Sequence, residues 1–224
     1  SGATQGIGAV IANHLAALGA QVTAIGLGNG DGTLDAAVEV RQADVTSDAS
    51  LEAAIGGIER LDIVFNCAGI ILRGAEHDLA VFEKVLAVNL TGTMRVCGMT
   101  RERLKASGGC IVNTASMLSF FGGGLVPGYA SSKGGVAQLT KSLAIAYAAD
   151  GIRVNAIAPG WIATPLTKPL QDDPARAGPI LARTPLGRWG TPDDVARAAM
   201  FLCTPAASFM TGVVLPVDGG YMVS

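Results

Sequence analysis

A series of short, almost uninterrupted apolar runs, each followed by a stretch of helical period, limits this chain more than any other feature. The runs lie at 21–26, 38–43, 61–66, 109–114, 152–157 and 213–217. A strand with one wet face alternates apolar and polar residues, whereas QVTAIG, LDIVFN, CIVNTA and IRVNAI hardly alternate, so both of their faces must be covered. Repeated strand, helix, strand succession gives a parallel sheet with helices on both sides. The expected class is α/β, a doubly wound parallel sheet of Rossmann-like form. Long helices are predicted at about 78–105 and 129–148; the second is rich in Ala, Ser and Gly and can pack closely on another helix, within the subunit or across a dimer seam. With 224 residues, half of them hydrophobic, one core and a single domain over 1–224 are expected. Within it, Pro/Gly-rich 159–190 reads as a long excursion, with a substrate loop at about 161–190.

The beginning of the chain conflicts with this pattern. Ser1-Gly2 opens directly into Gly6-Ile7-Gly8 and a helix with apolar Ile7, Val10, Ile11, Leu15 and Leu18. The strand expected before such a loop is absent, and in a doubly wound sheet that strand is central and buried. The sequence is therefore expected to be part of a longer chain.

Charge narrows the classes of partner. Sixteen Lys+Arg nearly balance eighteen Asp+Glu, and without a basic stripe a nucleic-acid partner is not expected. No apolar run approaches the roughly 20 residues that span a bilayer, and no signal-peptide pattern opens the chain; no membrane partner and a cytoplasmic location are expected. Cys67, Cys97, Cys110 and Cys203 are scattered and only two histidines occur, so no metal site and no disulfide framework are expected.

Several groups of residues suggest chemistry. Gly2, Gly6 and Gly8 fit a Gly-x-x-x-Gly-x-Gly loop at a helix N-terminus, where missing side chains let a pyrophosphate approach backbone N–H groups; a plain glycine turn is the competing reading. Asp44-Val45 ends one strand, where a carboxylate can accept from an adenine amino group, and Asn66-Cys67-Ala68-Gly69 ends the next, where small residues let a ribose lie against backbone. Tyr129 and Lys133 stand four apart, on one face of a helix. An ammonium favours phenolate, so Lys133 is expected to bring the Tyr129 phenol down from its usual value of roughly 10, although such pairs also occur as surface decoration. Ser116, at a strand end, can hold the same substrate oxygen. Asn89 lies in apolar VLAVNLTG, where its amide needs a partner: it either bends the helix or anchors a water in a relay to Lys133.

Together these residues resemble the short-chain dehydrogenase/reductases over essentially the whole sequence. The resemblance rests on Gly2/Gly6/Gly8, Asp44, Asn66–Gly69, Asn89, Ser116, Tyr129/Lys133, Pro159-Gly160 with Ile162 and Thr164, and Val217-Asp218-Gly219-Gly220. It implies a catalytic tetrad of Asn89, Ser116, Tyr129 and Lys133. It also implies a nicotinamide cofactor held by Gly2, Gly6, Ile7, Gly8, Asp44, Val45, Asn66, Ala68, Gly69, Tyr129, Lys133, Pro159, Gly160, Ile162 and Thr164. Pro159 to Thr164 would hold the carboxamide, the following loop would close over a small-molecule substrate, and the enzyme would be a homo-oligomer, a tetramer. Cys67 departs from the family, which usually has a second Asn there; this puts a turn hydrogen bond in doubt.

Ala115–Phe120, Ile70-Ile71 followed by Arg73, Gly187–Gly190 and Gly26 are similar to family members that act on keto-deoxy sugar acids. A sugar acid or polyol is thus the expected substrate of hydride transfer at a secondary alcohol or ketone. Arg73 and Arg183 are candidates for a substrate carboxylate, or are surface arginines with local partners. Reduction of 3-oxoacyl thioesters, and a catalytically silent NAD-binding relative, are the alternatives. NAD is expected over NADP: Gly26 and Leu27 offer no cation for a 2′-phosphate, the first Lys or Arg is Arg41, and Asp31 would repel a phosphate if it faced the ribose.

Overall fold

The computed structural model describes residues 1–224. In chain order its elements are α1 (Gly6–Ala17), β1 (Thr23–Gly26), β2 (Glu39–Gln42), α2 (Asp48–Ile55), β3 (Ile63–Asn66), α3 (Leu79–Leu86), α4 (Gly92–Ser107), β4 (Cys110–Thr114), α5 (Pro127–Tyr147), β5 (Arg153–Pro159), α6 (Lys168–Gln171), α7 (Pro174–Arg183), α8 (Pro192–Phe201) and β6 (Val214–Val217). Each expected strand run holds one strand. All pairings are parallel: β1 with β2, and β3-β4-β5-β6 in that order. No helix is long and apolar enough to cross a membrane.

The two groups of strands are joined by the first three residues. Ser1 donates its N–H to the Phe65 carbonyl at 2.6 Å and accepts from the Cys67 N–H at 2.9 Å, while the Ala3 N–H reaches the Ile25 carbonyl at 3.1 Å. Ser1 to Ala3 thus lie between β3 and β1, where strand order reverses and where open α/β sheets bind their ligands.

Successive residues of one strand bury on opposite faces, as the unbroken apolar runs require. On one face Ile111 and Val154 join Leu104 of α4 and Leu143 of α5; on the other Val112 and Ile157 join Ile11 of α1 and Val195 of α8. The predicted 78–105 helix is two helices joined by a π turn, Ala87–Thr91. The Gly-rich character of α5 serves packing within the subunit, because a Cβ at Gly135 would stand 2.7 Å from Leu90 of the π turn.

Candidate active site

A cleft of about 420 Å³ opens at the C-terminal ends of β3, β4 and β5. Of the residues singled out in the sequence, Ile7, Gly69, Ser116, Tyr129, Lys133, Pro159, Gly160, Ile162 and Thr164 line it. The strand ends deliver Gly69, Ser116, Pro159 and Gly160, because a parallel sheet points every C-terminal end the same way, while Ile7 comes from α1 and Tyr129 and Lys133 come from α5.

Lys133 lies one turn after Tyr129 on α5 and is 3% exposed. Its Nζ donates to the Thr114 carbonyl, the last residue of β4, at 2.6 Å, and stands 5.6 Å from the centre of the Tyr129 ring. Burial lowers the ammonium to about 8, against a small opposing effect of Cys67. The phenol moves contrary to the expectation from Lys133. Burial pushes Tyr129 above its ordinary value, a hydrogen bond with Ser116 draws it back, and the charge of Glu76 raises it further. Desolvation penalises the charged form of each group and is the largest effect on both.

Ser116 caps a short 3-10 turn, Met117–Ser119, in which its Oγ accepts from the Leu118 N–H at 3.2 Å and its own N–H donates to Ser119 Oγ at 3.2 Å. The turn leaves the Ser116 hydroxyl proton unused, and it goes to the Tyr129 phenol, which lines the same cleft. Ser119 in turn donates to the Lys133 carbonyl at 2.7 Å, tying the β4 end to α5.

Asn89 is wholly buried in the π turn. Its Oδ1 accepts from the Ile70 N–H at 2.8 Å, and its Nδ2 donates to the Ile70 carbonyl at 2.9 Å and to Ser132 Oγ at 3.0 Å. One amide proton and Oδ1 clamp Ile70, and the second amide proton ties this turn to Ser132 of α5. A Cβ added at Gly69 would stand 3.4 Å from Asn89 Oδ1 and 3.7 Å from Lys133 Nζ, so this glycine sits against both.

The glycine loop divides its tasks. A Cβ on Gly2 would stand 2.3 Å from the Ala68 nitrogen and one on Gly8 would stand 2.2 Å from the Gly2 carbonyl, so both are demanded by backbone contact. Gly6 has φ +57° with open space where a side chain would be, and Gln5 caps α1 without a side-chain hydrogen bond. Open space and uncapped helix donors at one point fit a pyrophosphate. Asp44 holds the Thr46 N–H and hydroxyl with Oδ1, at 2.8 and 2.7 Å, leaving Oδ2 for a ligand. Val45 is a core side chain packed against Gly92.

Asn66 is 2% exposed at the end of β3, so the cofactor contact expected at this strand end falls to backbone. Its side chain lies in the core, donating to Asn113 Oδ1 at 3.0 Å, and Asn113 donates to Thr140 at 3.0 Å. Cys67, beside it, lines the cleft and accepts from Thr114 Oγ1 at 3.5 Å. At the other wall, Gly160 lets Asp218 approach, since a Cβ there would stand 2.6 Å from the Asp218 Cβ. This explains why the Pro159-Gly160 and Val217-Asp218 motifs occur together.

Sequence reasoning missed Glu76. It is 1% exposed; Oε1 accepts from the Leu72 N–H at 2.8 Å and Oε2 from the Tyr129 N–H at 2.7 Å, in the first turn of α5. A carboxylate there satisfies orphan donors at the positive end of the helix and fixes where Tyr129 starts. A lone acid in GAEHDL carries no periodic signal, so nothing in the sequence singled it out.

A family model described as enoyl-(acyl carrier protein) reductase matches residues 2–222. The chain belongs to the short-chain dehydrogenase/reductase family. This dehydrogenase/reductase is 40% identical to 2-dehydro-3-deoxy-D-gluconate 5-dehydrogenase of Pseudoalteromonas atlantica, over 99% of the chain and 94% of the relative. It is 39% identical to galactitol 2-dehydrogenase (L-tagatose-forming) of Cereibacter sphaeroides, over 100% and 93%. Among solved structures, a gluconate 5-dehydrogenase from Burkholderia cenocepacia in complex with NADP and tartrate matches with TM-score 0.92 and 31% identity, covering 100% of this chain and 94% of that one. The dehydrogenase/reductase is thus an oxidoreductase with the parallel, helix-flanked sheet of its relatives, and the resemblance drawn from the motifs holds.

Proposed function

We propose that this enzyme interconverts a secondary alcohol and a ketone on a sugar acid or polyol, using a nicotinamide dinucleotide laid across the β1/β3 switch point. The supporting observation is that Ser116, Tyr129, Lys133 and Pro159 to Thr164 line one cleft. The loop at Gly6 would hold the pyrophosphate, Asp44 the adenine, Lys133 the nicotinamide ribose and Pro159 to Thr164 the carboxamide. When bound, the nicotinamide supplies or accepts the hydride. Ser116 holds the reacting oxygen with the hydroxyl proton it otherwise gives to the Tyr129 phenol, and Tyr129 gives that oxygen a proton in reduction and takes it in oxidation. Asn89 keeps the Gly69-Ile70 turn against Lys133, and its second Oδ1 lone pair would anchor a relay water there.

For the choice of nicotinamide, the segment that follows β1 supplies no free cation. Arg41 is held by Glu39 at 2.9 Å and by the Ala54 carbonyl at 2.7 Å. Asp31 accepts from the Thr33 N–H and hydroxyl, which hold its carboxyl below the usual carboxylate range, so it keeps the negative charge that disfavours a phosphate beside it. Gly26 answers a packing demand, since a Cβ would stand 2.4 Å from Thr4 Oγ1. A 2′-phosphate finds no local cation, so NAD is the proposed cofactor, even though the Burkholderia relative holds NADP. Measuring kcat/KM for each nicotinamide on a gluconate-type acid and its polyol tests both parts of the reading. Turnover with NAD at least equal to NADP is expected; a tenfold preference for NADP, about 1.4 kcal/mol, overturns the cofactor choice.

We also propose a homo-oligomer, a tetramer. The outer side of α5 leaves Ile145 81% exposed, and Phe209 is fully exposed nearby in sequence to β6, apolar surface suited to a symmetric contact. Light scattering at micromolar concentration is expected to give a multiple of 22.6 kDa; a monomer refutes it.

A further inference from the structure

The arginines of this protein fall into two groups. Arg41, Arg60, Arg95, Arg101, Arg188 and Arg197 pair with carboxylates. Arg103 and Arg153 donate to backbone carbonyls, and Arg183 lies over the Tyr221 ring at 4.3 Å. Arg183 is therefore occupied by aromatic faces and does not line the cleft. Only Arg73 and Arg176 have no ion pair, side-chain hydrogen bond or aromatic face, and both line the same cleft.

They come from two separate parts of its wall. Arg73 follows the turn clamped by Asn89, whereas Arg176 is in the first turn of α7, in the segment covering the cleft. The acids near Arg176 are already engaged: Asp172 pairs with Lys168, and Asp173 caps α7 by accepting from the Ala175 N–H. No Asp or Glu lines the cleft, while Arg73, Arg176 and Lys133 do. A protein of net charge −2 thus concentrates cations, with no compensating acid, at its reaction site. The remaining lining beside Arg176 is largely apolar, including Leu166, Pro169 and Leu170, which strengthens any charge pairing made there.

We propose that Arg73 and Arg176 together bind the carboxylate of the substrate, so that the enzyme selects hydroxy and keto acids over neutral polyols. The proposal rests on the hydride-transfer reading above and specifies the substrate class within it. Two guanidinium forks offer a carboxylate charge-assisted hydrogen bonds from both parts of the wall, and an acid bridging them holds the α7 segment down over the reacting carbon. A neutral polyol gains neither effect.

The test compares wild type with R73M and R176M, using D-gluconate and the neutral polyol sorbitol as probes. The ratio of kcat/KM for the acid over the polyol is expected to exceed tenfold in wild type and to fall at least tenfold in each variant. Tartrate binding, followed through Trp161 fluorescence because Trp161 lines the cleft, is expected to weaken in parallel. The NAD dissociation constant, measured without substrate, separates the other source of negative charge: a loss there as large as the loss for the acid assigns the arginines to the cofactor pyrophosphate and overturns the proposal. An unchanged acid-to-polyol ratio also overturns it, while leaving the hydride-transfer reading intact. If neither probe is turned over, the sugar-acid reading fails separately, and the tartrate titration still decides whether the two arginines hold a carboxylate.

Discussion

Tyr129→Phe is expected to lower kcat by about 10²- to 10⁴-fold, the range a positioned acid/base contributes, while the cofactor dissociation constant stays within about threefold. The substitution removes the hydroxyl that bonds Ser116 and keeps the ring that lines the cleft. The direction of the pKa shift adds a pH signature. Burial and Glu76 hold the phenol above its ordinary value, so at neutral pH it is protonated and ready to donate in the reductive direction. Oxidation needs the phenolate, whose fraction grows as pH rises toward that elevated pKa. Wild-type kcat for oxidation should therefore climb with pH through and beyond neutrality, and the Phe variant should lose the climb together with the activity. Residual turnover above about a tenth of wild type, or a climb that survives the substitution, would remove Tyr129 from this role.

Glu76→Leu is expected to destabilise the fold by about 2–4 kcal/mol, because it strands the buried N–H groups of Leu72 and Tyr129 without an acceptor. For a domain of this size that corresponds to a fall in Tm of about 5–15 °C. Glu76→Gln keeps one acceptor oxygen and should cost less. It also removes the negative charge that raises the Tyr129 phenol, so the phenol pKa falls and the alkaline climb of oxidation moves to lower pH. A role confined to stability would lower Tm and leave the pH profile in place. An unchanged Tm in the Leu variant would show that the two N–H groups find other partners.

How far the sequence reached depended on the distance over which each interaction acts. The strands were legible because burial on both sheet faces leaves unbroken apolar runs such as CIVNT at β4, and burial is written residue by residue. Tyr129 and Lys133 were legible because helical spacing sets them on one face whatever surrounds them. The π turn at Asn89 was read as part of one long helix, since Ala87–Thr91 has an ordinary helical composition and only the clamp on Ile70, nineteen residues away, shows its purpose.

Glu76 meets the Tyr129 N–H across 53 positions and Asn66 meets Asn113 across 47; no local pattern encodes either pairing, so an acid was overlooked and the core partner of the Asn66 side chain was not foreseen. The sign of the Tyr129 shift followed the same rule. Lys133 beside Tyr129 argued for a lowered phenol, but desolvation depends on everything packed around both groups and here it prevails. The sequence by itself determined the parallel sheet, its strands and the helix that carries Tyr129 and Lys133, because periodicity and spacing are local. Only the tertiary structure decided which polar groups share the interior and which arginines remain unpaired, because partners and dielectric are set by chain segments brought together in the fold.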